Sequence, residues 1–580
     1  MDEKKVIEKA KIEITNAFNE LESRLSSSTF VATERMTVVD VSLYSVCGAL
    51  VNLSIIKLCH FPAINRWHMT IDNNPNISSV AKNINGSIPD KFKRIRYVMK
   101  ELLAEHKTAL GKEVTVQGWV RTSRSAEKGQ ILFVELNDGS TVKGLQLVLN
   151  TNTIGFDAVC NSGGVGASLT ATGTVVASPA KGQLIEIHVK ESLVLGAVYG
   201  GDNGEISGKN YPMAKKAHSL EYLREIAHLR IRSKFFSSAM RIRNAMAYAT
   251  HKFFYERKFV YVHTPLITGA DCEGAGEQFA VTTLLPDHAK LSDIPKDTKG
   301  NVDFSKDFFG RRTCLTVSGQ LNVETHACAL SDVYTFGPTF RAEESHTSRH
   351  LAEFWMIEPE ICFANLSDDM ALAEDYVRFC TKYALENCAD DLAYFEEEYP
   401  NGEKGLRSRL SNVVENEFAR ITYTEAVELL QKEIALGNAL FERYPNWGDD
   451  LGSEHERYIT EKIFKKPTIV INYPRGIKAF YMKLNDDNIT VAAMDILVPK
   501  IGELIGGSQR EDRLDVLEAR CVESGMKPSD IWWYADLRRY GTVPHAGFGL
   551  GFERLIMFVT GLENIRDVIP FPRIPKNAEF

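Results

Sequence analysis

The spacing of apolar residues along the chain changes period twice. Between residues 7 and 25 apolar positions recur every three or four residues, which predicts an amphipathic helix. Between residues 113 and 198 the period is two, in short runs separated by glycine-bearing turns such as Asp138-Gly139. The helical period returns between Phe235 and Phe253. The pattern therefore predicts a helical N-terminal module, a small barrel of about five strands and a larger α+β region.

Shorter signals mark the connections between these regions. Thr37 to Asp40 has the form of a helix capping box, and the apolar run after it predicts a helix ending near Leu58. Pro62 predicts a turn into a further helix, and residues 72–90, rich in Asn, Ser, Gly and Pro, predict a linker. A basic helix is expected over residues 91–106, and the apolar run at residues 259–265 predicts a strand that ends at a proline.

Residues 340–360 predict two strands joined by a dense polar loop. The loop carries Arg341, Glu343, Arg349 and His350. Guanidinium and imidazole groups gathered over one face of a sheet bind phosphate oxygens through directed hydrogen bonds. The hairpin is therefore a candidate site for a nucleoside triphosphate, although a solvated hairpin with a charged turn has the same pattern.

Composition excludes several classes of protein. The chain has 580 residues, too many for one core, and a net charge of -8, so that any nucleic-acid site must be a local basic face. Its N-terminus lacks the apolar core of a signal peptide, and its longest apolar run is interrupted by polar residues, so a cytoplasmic location is expected. Ten cysteines without a Cys-x-x-Cys pair indicate neither a zinc site nor a disulfide framework.

Three stretches occur in an order that resembles a known enzyme class. They are the helix and strand ending at Pro265, the hairpin just described, and the glycine-rich segment from Gly547 to Arg554. This order, with a barrel upstream, resembles the class II aminoacyl-tRNA synthetases of the aspartate, asparagine and lysine subgroup. Further segments resemble the asparaginyl-tRNA synthetases, among them residues 316–321, 472–482 and 536–545.

The resemblance implies a fold and a division into domains. The expected catalytic domain is α+β, is built on an antiparallel sheet and spans residues 226–580. An OB-fold anticodon-binding barrel at 111–200 precedes it, joined by a linker helix at 86–110 and a hinge at 201–225. Residues 1–85 resemble the all-α C-terminal domain of glutathione transferases through the Thr37 box and a Pro62-x-x-x-Arg66-Trp67 segment. That module would dock a protein partner.

The resemblance also implies ATP-dependent adenylate formation followed by transfer to tRNA. Arg341 would bridge the α-phosphate and the substrate carboxylate, and Arg554 would cover the adenine and reach the γ-phosphate. The residues implied to bind ATP are Arg341, Glu343, His350, Phe354, Glu503, Gly551 and Arg554. Arg341, Glu503 and Arg554 are the expected catalytic residues, and Asp495 with Glu503 would hold Mg²⁺, which prefers carboxylate and phosphate oxygens.

The identity of the amino-acid substrate is inferred from positions at which this chain differs from the aspartate enzymes of the subgroup. The resemblance assigns the amino-acid site to Glu273, Ser318, Gln320, Glu358 and Arg510. Aspartate enzymes place a lysine where this chain has Val323, and an aspartate where it has Glu358. Without that lysine, Glu358 repels a substrate carboxylate, whereas it accepts a hydrogen bond from an amide while Arg510 donates to the carbonyl. Asparagine is therefore expected over aspartate.

The implied partners are tRNA(Asn), ATP, L-asparagine and a second copy of the chain in a homodimer. On the barrel, Phe133, Gln146 and Arg121 are the expected anticodon contacts, since an aromatic ring stacks an unpaired base and an amide reads its edge. Three alternatives remain at this point: an aspartyl-tRNA synthetase of relaxed specificity, an amide-forming ligase with the same adenylate core, and a regulatory relative without charging activity.

Overall fold

A computed structural model describes residues 3–27, 43, 61–72, 96–180, 182–213, 218–270, 278–288, 290–345 and 347–580. The chain divides into two compact units, Met1–Ile95 and Arg96–Phe580. The predicted helix ending near Leu58 and the linker at residues 73–90 lie outside the described residues. Among the described residues, no helix is long and apolar enough to cross a membrane.

The first unit contains two described helices, α1 (Glu3–Ser27) and α2 (Pro62–Asp72). Both confirm helices that the sequence predicts at these places. The Glu22 carboxylate accepts hydrogen bonds from Ala63 N and Ile64 N, each at 2.8 Å, so an anion satisfies the exposed N–H groups at the start of α2. Trp67 of α2 is fully buried.

The second unit begins with a short basic segment and the barrel. Of the helix predicted over residues 91–106, residues 91–95 lie outside the described residues, and the described part forms two short helices with an interruption at Glu105. Five strands then close into a barrel in the order β1-β2-β3-β5-β4, which confirms the period-two prediction. The elements are α3 (Met99–Ala104), α4 (His106–Ala109), β1 (Glu113–Ala126), β2 (Ile131–Asn137), β3 (Leu145–Asn150), α5 (Phe156–Cys160), β4 (Ser168–Ala177) and β5 (Ile185–Gly196).

A mixed sheet of eight strands forms the body of the second unit, in the order β12-β13-β14-β15-β16-β11-β10-β6. Its strands are β6 (Val260–Tyr261), β10 (Asp332–Phe340), β11 (Glu353–Cys362), β12 (Ala419–Thr422), β13 (Thr468–Pro474), β14 (Thr490–Val498), β15 (Gly502–Gln509) and β16 (His545–Gly551). A small sheet contains β7 (Ile267–Thr268), β8 (Ala280–Val281) and β9 (Thr313–Leu315).

The prediction of an antiparallel sheet holds for the six inner strands only. Both edge strands, β12 and β6, pair parallel to their neighbours. The strand predicted over residues 259–265 is also shorter than expected. Only Val260 and Tyr261 form the ladder, since the chain turns away after Val262 N donates to Tyr334 O at 2.9 Å, and Pro265 has no N–H to donate.

Helices cover the apolar back of the large sheet. The amphipathic helix predicted around residues 235–253 is confirmed as α8, and with α10 and α17 it buries a continuous core. The helices are α6 (Leu220–Glu225), α7 (Ala227–Arg230), α8 (Lys234–Glu256), α9 (Gln320–Leu330), α10 (Leu366–Asn387), α11 (Ala389–Ala393), α12 (Leu406–Glu415), α13 (Tyr423–Ala435), α14 (Ser453–Tyr458), α15 (Leu514–Glu523), α16 (Trp532–Arg539) and α17 (Phe552–Thr560).

Alternation along β11 divides its side chains between this core and the opposite, open face of the sheet. Ile357 and Ile361 pack in the core, whereas Glu358 and Glu360 lie on the opposite face. The open face of the sheet is therefore where polar chemistry is available.

Replacing Ile357 by alanine should destabilise the second unit. The side chain is fully buried in the central strand, and removing a buried isoleucine to leave a cavity costs about 2–5 kcal/mol. Thermal unfolding should show a clearly lowered midpoint. Ile489→Ala, at a position that is 55% exposed, is the matched control; equal midpoints for the two variants would contradict the assignment of Ile357 to the core.

Candidate functional site

The glycines of β16 make room for the site. Gly547, Gly549 and Gly551 alternate with Phe548 and Leu550, which are buried in the core behind the sheet. A Cβ at Gly547 would lie 2.4 Å from Glu360 Cδ, and one at Gly549 would lie 2.9 Å from Met356 Cε. Long side chains of β11 can therefore lie across β16 only because β16 has no side chains on that face.

One cavity of about 170 Å³ lies above this part of the sheet. All seven residues expected to bind ATP line it: Arg341, Glu343, His350, Phe354, Glu503, Gly551 and Arg554. The hairpin of β10 and β11 confirms the two strands predicted over residues 340–360, and Arg554 lies in the first turn of α17 as expected.

Cations and one aromatic ring dominate the cavity wall. The Arg341 guanidinium lies 5.5 Å from the centre of the Phe354 ring. Arg349 also lines the cavity, and burial lowers its pKa, although the sequence interpretation did not assign it a role. His350 is held by the Ser345 hydroxyl, with Oγ 3.0 Å from Nδ1. A flat group over Phe354 with an anionic chain beside the arginines would fit this wall.

Two carboxylates converge at the edge of the cavity. A Cβ at Gly506 would lie 3.2 Å from Glu503 Oε1 and 3.5 Å from Asp495 Oδ1, so both oxygens face the same point above the sheet. Arg554 Nη1 donates to Glu503 Oε2 at 3.3 Å, and Lys478 Nζ donates to Asp495 Oδ2 at 2.6 Å.

The electrostatics of the two carboxylates differ. Burial raises the pKa of Asp495 in spite of Lys478. Partial burial alone would raise the pKa of Glu503 as well, but the Arg554 and Lys478 cations lower it below its ordinary value. Among the described residues, no group of three or more His, Cys, Asp or Glu side chains is arranged to hold a metal ion, so a cation here needs oxygens from its substrate as well.

A third carboxylate near this pair escaped the sequence interpretation. Glu456 of α14 accepts a hydrogen bond from Glu503 N at 3.0 Å, and burial together with the neighbouring Glu503 raises its pKa to about 8. It lies far from Glu503 in sequence, and no motif marked it.

Of the residues expected to bind the amino acid, those that the structure describes lie further along the open face of the sheet. Glu358 is four residues beyond Phe354 on β11, or about 14 Å at the usual rise per residue. It accepts from the Ser318 hydroxyl and from Gly319 N, the latter at 2.9 Å. Gln320 begins α9, and Glu273 lies outside the described residues.

Arg510 occupies a different setting from the one expected. Its guanidinium is 2% exposed and forms a bidentate pair with Glu360, with Nε 3.1 Å from Oε2. Its Nη1 donates to Ser508 Oγ at 2.9 Å. The carboxylate bound by Arg510 is thus Glu360, which the sequence interpretation missed. Strand alternation could have identified it, since Glu360 lies two residues after Glu358 and shares its face.

A buried polar network extends from this pair. Glu324 is fully buried; its Oε1 lies 3.8 Å from Arg510 Nε, and its Oε2 lies 2.9 Å from His545 Nε2. Burial opposes the charge on Glu324, yet its contacts with His545 and the arginines hold its pKa far below its ordinary value. Burial also raises the pKa of Glu360 to about 7, against the attraction of Arg510.

The residues expected on the barrel separate into two places. Phe133 and Gln146 lie on the outer face of β2 and β3, with Arg124 5.3 Å from the Phe133 ring. Gln146 Nε2 donates to Glu186 Oε2 at 3.1 Å.

Arg121 lines a different cavity from Phe133 and Gln146, and its contact with the anticodon stays a prediction. A β-bulge between Val120 and Thr122 leaves Arg121 outside the paired register of β1 and β2. Its guanidinium donates to Val142 O at 2.9 Å in a cavity of about 840 Å³ between the barrel and α8.

Comparisons with known proteins agree with this geometry. Residues 219–575 match the family model of tRNA synthetases class II (D, K and N), and residues 2–75 match that of the glutathione S-transferase C-terminal domain. The asparagine–tRNA ligase of Picosynechococcus sp. is 55% identical over 482 residues, which are 83% of this chain and 100% of that protein. The chloroplastic/mitochondrial asparagine–tRNA ligase of Arabidopsis thaliana is 51% identical over 533 residues, 90% of each chain.

Solved structures are similar as well. The asparaginyl-tRNA synthetase of Pyrococcus horikoshii complexed with asparaginyl-adenylate aligns with a TM-score of 0.69 and 32% identity, covering 83% of this chain and 99% of that chain. The Entamoeba histolytica asparaginyl-tRNA synthetase in complex with asparaginyl-adenylate aligns with a TM-score of 0.65 and 26% identity, covering 81% of this chain and 97% of that chain.

The raised pKa of His545 predicts how the thermal stability of the second unit depends on pH. Its raised pKa arises from the Glu324 carboxylate, which outweighs burial and the nearby Arg538. The stabilisation by the imidazolium is complete below about pH 6.5, the ordinary histidine pKa, and is lost as the pH rises through the raised value. The difference in thermal midpoint between the wild type and His545→Gln should therefore shrink as the pH is raised from about 6 to 9.

His326→Gln provides the control, because His326 lies exposed on α9. Its midpoint should differ from that of the wild type by the same amount at every pH. A His545→Gln difference that stays constant over the range would contradict a charged His545.

Proposed function

The chain belongs to the class II tRNA synthetases of the D, K and N group, and on that basis we propose that it ligates L-asparagine to tRNA(Asn). The reaction consumes ATP, passes through an asparaginyl-adenylate and releases pyrophosphate and AMP. The aspartate-specific, amide-forming and non-charging alternatives are not favoured, because relatives that are 51–55% identical over 82–90% of this chain are asparagine–tRNA ligases.

The observation that carries the proposal is the single cavity lined by all seven expected ATP residues. In the first step the α-carboxylate of asparagine attacks the α-phosphate and pyrophosphate leaves. Arg341 bridges these two anions, and Phe354 lies beneath the adenine, whose amino group donates to Glu343. His350 and Arg554 bind the γ-phosphate. Positioning and charge neutralisation account for the rate, with no covalent intermediate on the protein.

Asp495 and Glu503 would hold Mg²⁺. Their oxygens face one point above Gly506, and carboxylates with phosphate oxygens are the ligands that this ion prefers. The ion, when bound, would neutralise charge on the phosphates. Lys478 keeps Asp495 oriented toward that point.

Asparagine lies over the part of the sheet next to α9. Ser318, Gln320 and Glu273 hold its α-amino group, and its side-chain amide lies between Glu358 and Arg510. The support for the last contact is Arg510, whose guanidinium is fixed by Glu360 and Ser508. In the second step the acyl group passes to the terminal ribose hydroxyl of the tRNA.

The barrel binds the anticodon through the outer face of β2 and β3. Phe133 stacks one base, Arg124 lies beside the ring, and Gln146 reads a base edge. Arg121 lines the cavity between the barrel and α8, and its contact with the anticodon stays a prediction.

A homodimer is supported by exposed aromatic side chains near the edge strand β6. Tyr248, Tyr255 and Tyr261 are 60%, 76% and 46% exposed, and Phe363 is 75% exposed. Large aromatic groups of this kind are enriched in subunit interfaces. The N-terminal unit is a docking module for a protein partner, and a cytoplasmic location stays a prediction.

Pyrophosphate exchange with asparagine, aspartate and lysine tests the function. Asparagine should support exchange roughly a thousandfold better than either alternative, because Glu358 repels the side-chain carboxylate of aspartate and Arg510 repels the ammonium of lysine in a buried site. Charging of total tRNA should then yield asparaginyl-tRNA alone. Equal exchange with asparagine and aspartate would refute the specificity, and no exchange with any of the three would refute the function.

Phe133→Ala should separate tRNA binding from adenylate formation. Loss of one base stacked on an aromatic ring costs about 1–3 kcal/mol, so kcat/KM for tRNA should fall roughly 5- to 150-fold. Pyrophosphate exchange should not change. Phe308→Ala, at a position that is 76% exposed outside the barrel, is the control. An unchanged kcat/KM for tRNA in Phe133→Ala would exclude stacking on this ring.

A further inference from the structure

Glu324 lies in the second unit where α9, α16 and β16 meet. It is fully buried on α9, one turn after Gln320, whose Nε2 donates to it at 3.0 Å. The Tyr534 hydroxyl donates at 2.8 Å, Arg538 Nη2 at 3.3 Å, and His545 Nε2 lies at 2.9 Å. A carboxylate that accepts from so many donors in the interior fixes them all relative to one another.

His545 must carry a positive charge in this arrangement. Its Nδ1 lies 2.9 Å from Val543 O, and its Nε2 lies 2.9 Å from Glu324 Oε2. Both partners only accept hydrogen bonds, so both ring nitrogens need a proton to donate. Arg538 Nη2, a longer contact at 3.4 Å from Nε2, cannot replace the Glu324 contact.

The buried charges around Arg510 balance only if Glu324 is counted. The cations are Arg510, Arg538 and His545, and the carboxylates in contact with them are Glu324 and Glu360. Glu358 supplies a third carboxylate two residues before Glu360 on the same face of β11. Among the described residues, three positive and three negative charges therefore lie around Arg510 on the open face of the sheet.

Asp369 and Cys328 do not disturb this balance. Asp369, on α10 behind β15, is fully buried, and neither of its carboxyl oxygens has a hydrogen-bond partner among the described residues, so that burial raises its pKa. Cys328 lies one turn after Glu324 on α9, and a hydrogen bond with Cys362 lowers its pKa to about 7. Its side chain packs against the apolar cluster that contains Val333 and Cys362.

Arg510 retains donors for a substrate. A guanidinium has five N–H groups, and three of those of Arg510 are engaged within the described residues, two by Glu360 and one by Ser508. The remaining two can donate to the side-chain oxygen of an amino acid. Because the surrounding charge is already balanced, that oxygen need not bring a negative charge.

We propose that Glu324 is a positioning residue that sets the amino-acid specificity of the site. Its charge neutralises the cluster around Arg510, so that the site accepts a neutral amide, whereas a carboxylate would leave an uncompensated negative charge in the interior. It also orients Gln320, whose side chain is hydrogen-bonded to Glu324 and which is proposed to hold the α-amino group of the substrate. The inference rests on the proposed function, and it adds a residue to those that the sequence motifs marked.

Glu324→Gln tests the proposal, because it removes the charge and keeps the size. The ratio of kcat/KM for asparagine to that for aspartate in pyrophosphate exchange should fall about tenfold or more, with aspartate gaining relative to asparagine. Glu374→Gln is the matched control: this buried glutamate lies on α10 and accepts from Phe418 N at 3.0 Å, outside the cluster. Its ratio should equal that of the wild type.

Glu324→Asp separates charge from packing. It keeps the charge, so exchange should slow while the ratio stays near that of the wild type. A role in packing alone would lower exchange with both amino acids in proportion in Glu324→Gln and leave the ratio unchanged, which would overturn the proposal. The proposal would also be overturned if the ratio of kcat/KM for asparagine to that for aspartate fell equally in Glu324→Asp and Glu324→Gln.

His545→Gln decides the question if Glu324→Gln does not fold. It removes one positive charge from the same cluster, so the ratio should move in the opposite direction, toward stronger rejection of aspartate. A shift toward aspartate would contradict charge balance. Failure of the wild type to exchange with asparagine would refute the proposed function itself, and is thereby distinguishable from failure of this inference.

Discussion

The buried ion pair of Arg510 and Glu360 is the interaction on which the arrangement of the second unit depends. A guanidinium that is 2% exposed is tolerable only if carboxylates and hydroxyls satisfy it, and loss of one partner from such a pair costs about 3–5 kcal/mol. Glu360 reaches Arg510 by passing over Gly547, where a Cβ would lie 2.4 Å from its Cδ. One electrostatic requirement thus dictates a glycine on the neighbouring strand.

The same arrangement of strands serves both ends of the cleft. Phe354 and Glu360 lie on one face of β11, the first lining the cavity suited to ATP and the second bound to Arg510. The glycines of β16 leave that face open along its length. Because the register of β11 and β16 is held by backbone hydrogen bonds, the spacing between the nucleotide and amino-acid ends does not depend on flexible loops.

The barrel is joined to this frame by charged contacts rather than by a shared core. Arg241 of α8 binds Asp391 and also donates to Gly139 O, in the turn after β2, at 2.9 Å. Lys143 Nζ lies 2.8 Å from Asp390 Oδ1. Arg241 and Gly139 line the same cavity as Arg121, so a further cation of the barrel lies at this junction.

The sequence by itself determined the long periodic elements, the five-strand barrel and the residues gathered around the ATP cavity, because periodicity and local motifs act over a few neighbouring positions. Only the tertiary structure decided what lies beside Arg510. Glu324 and His545 are far apart in the chain and meet through packing. The bulge at Arg121 and the parallel edges of the sheet likewise follow from strand pairing and chain connections that no local pattern encodes. The buried charges around Arg510 come from distant parts of the chain, so their balance can be read only from the tertiary structure.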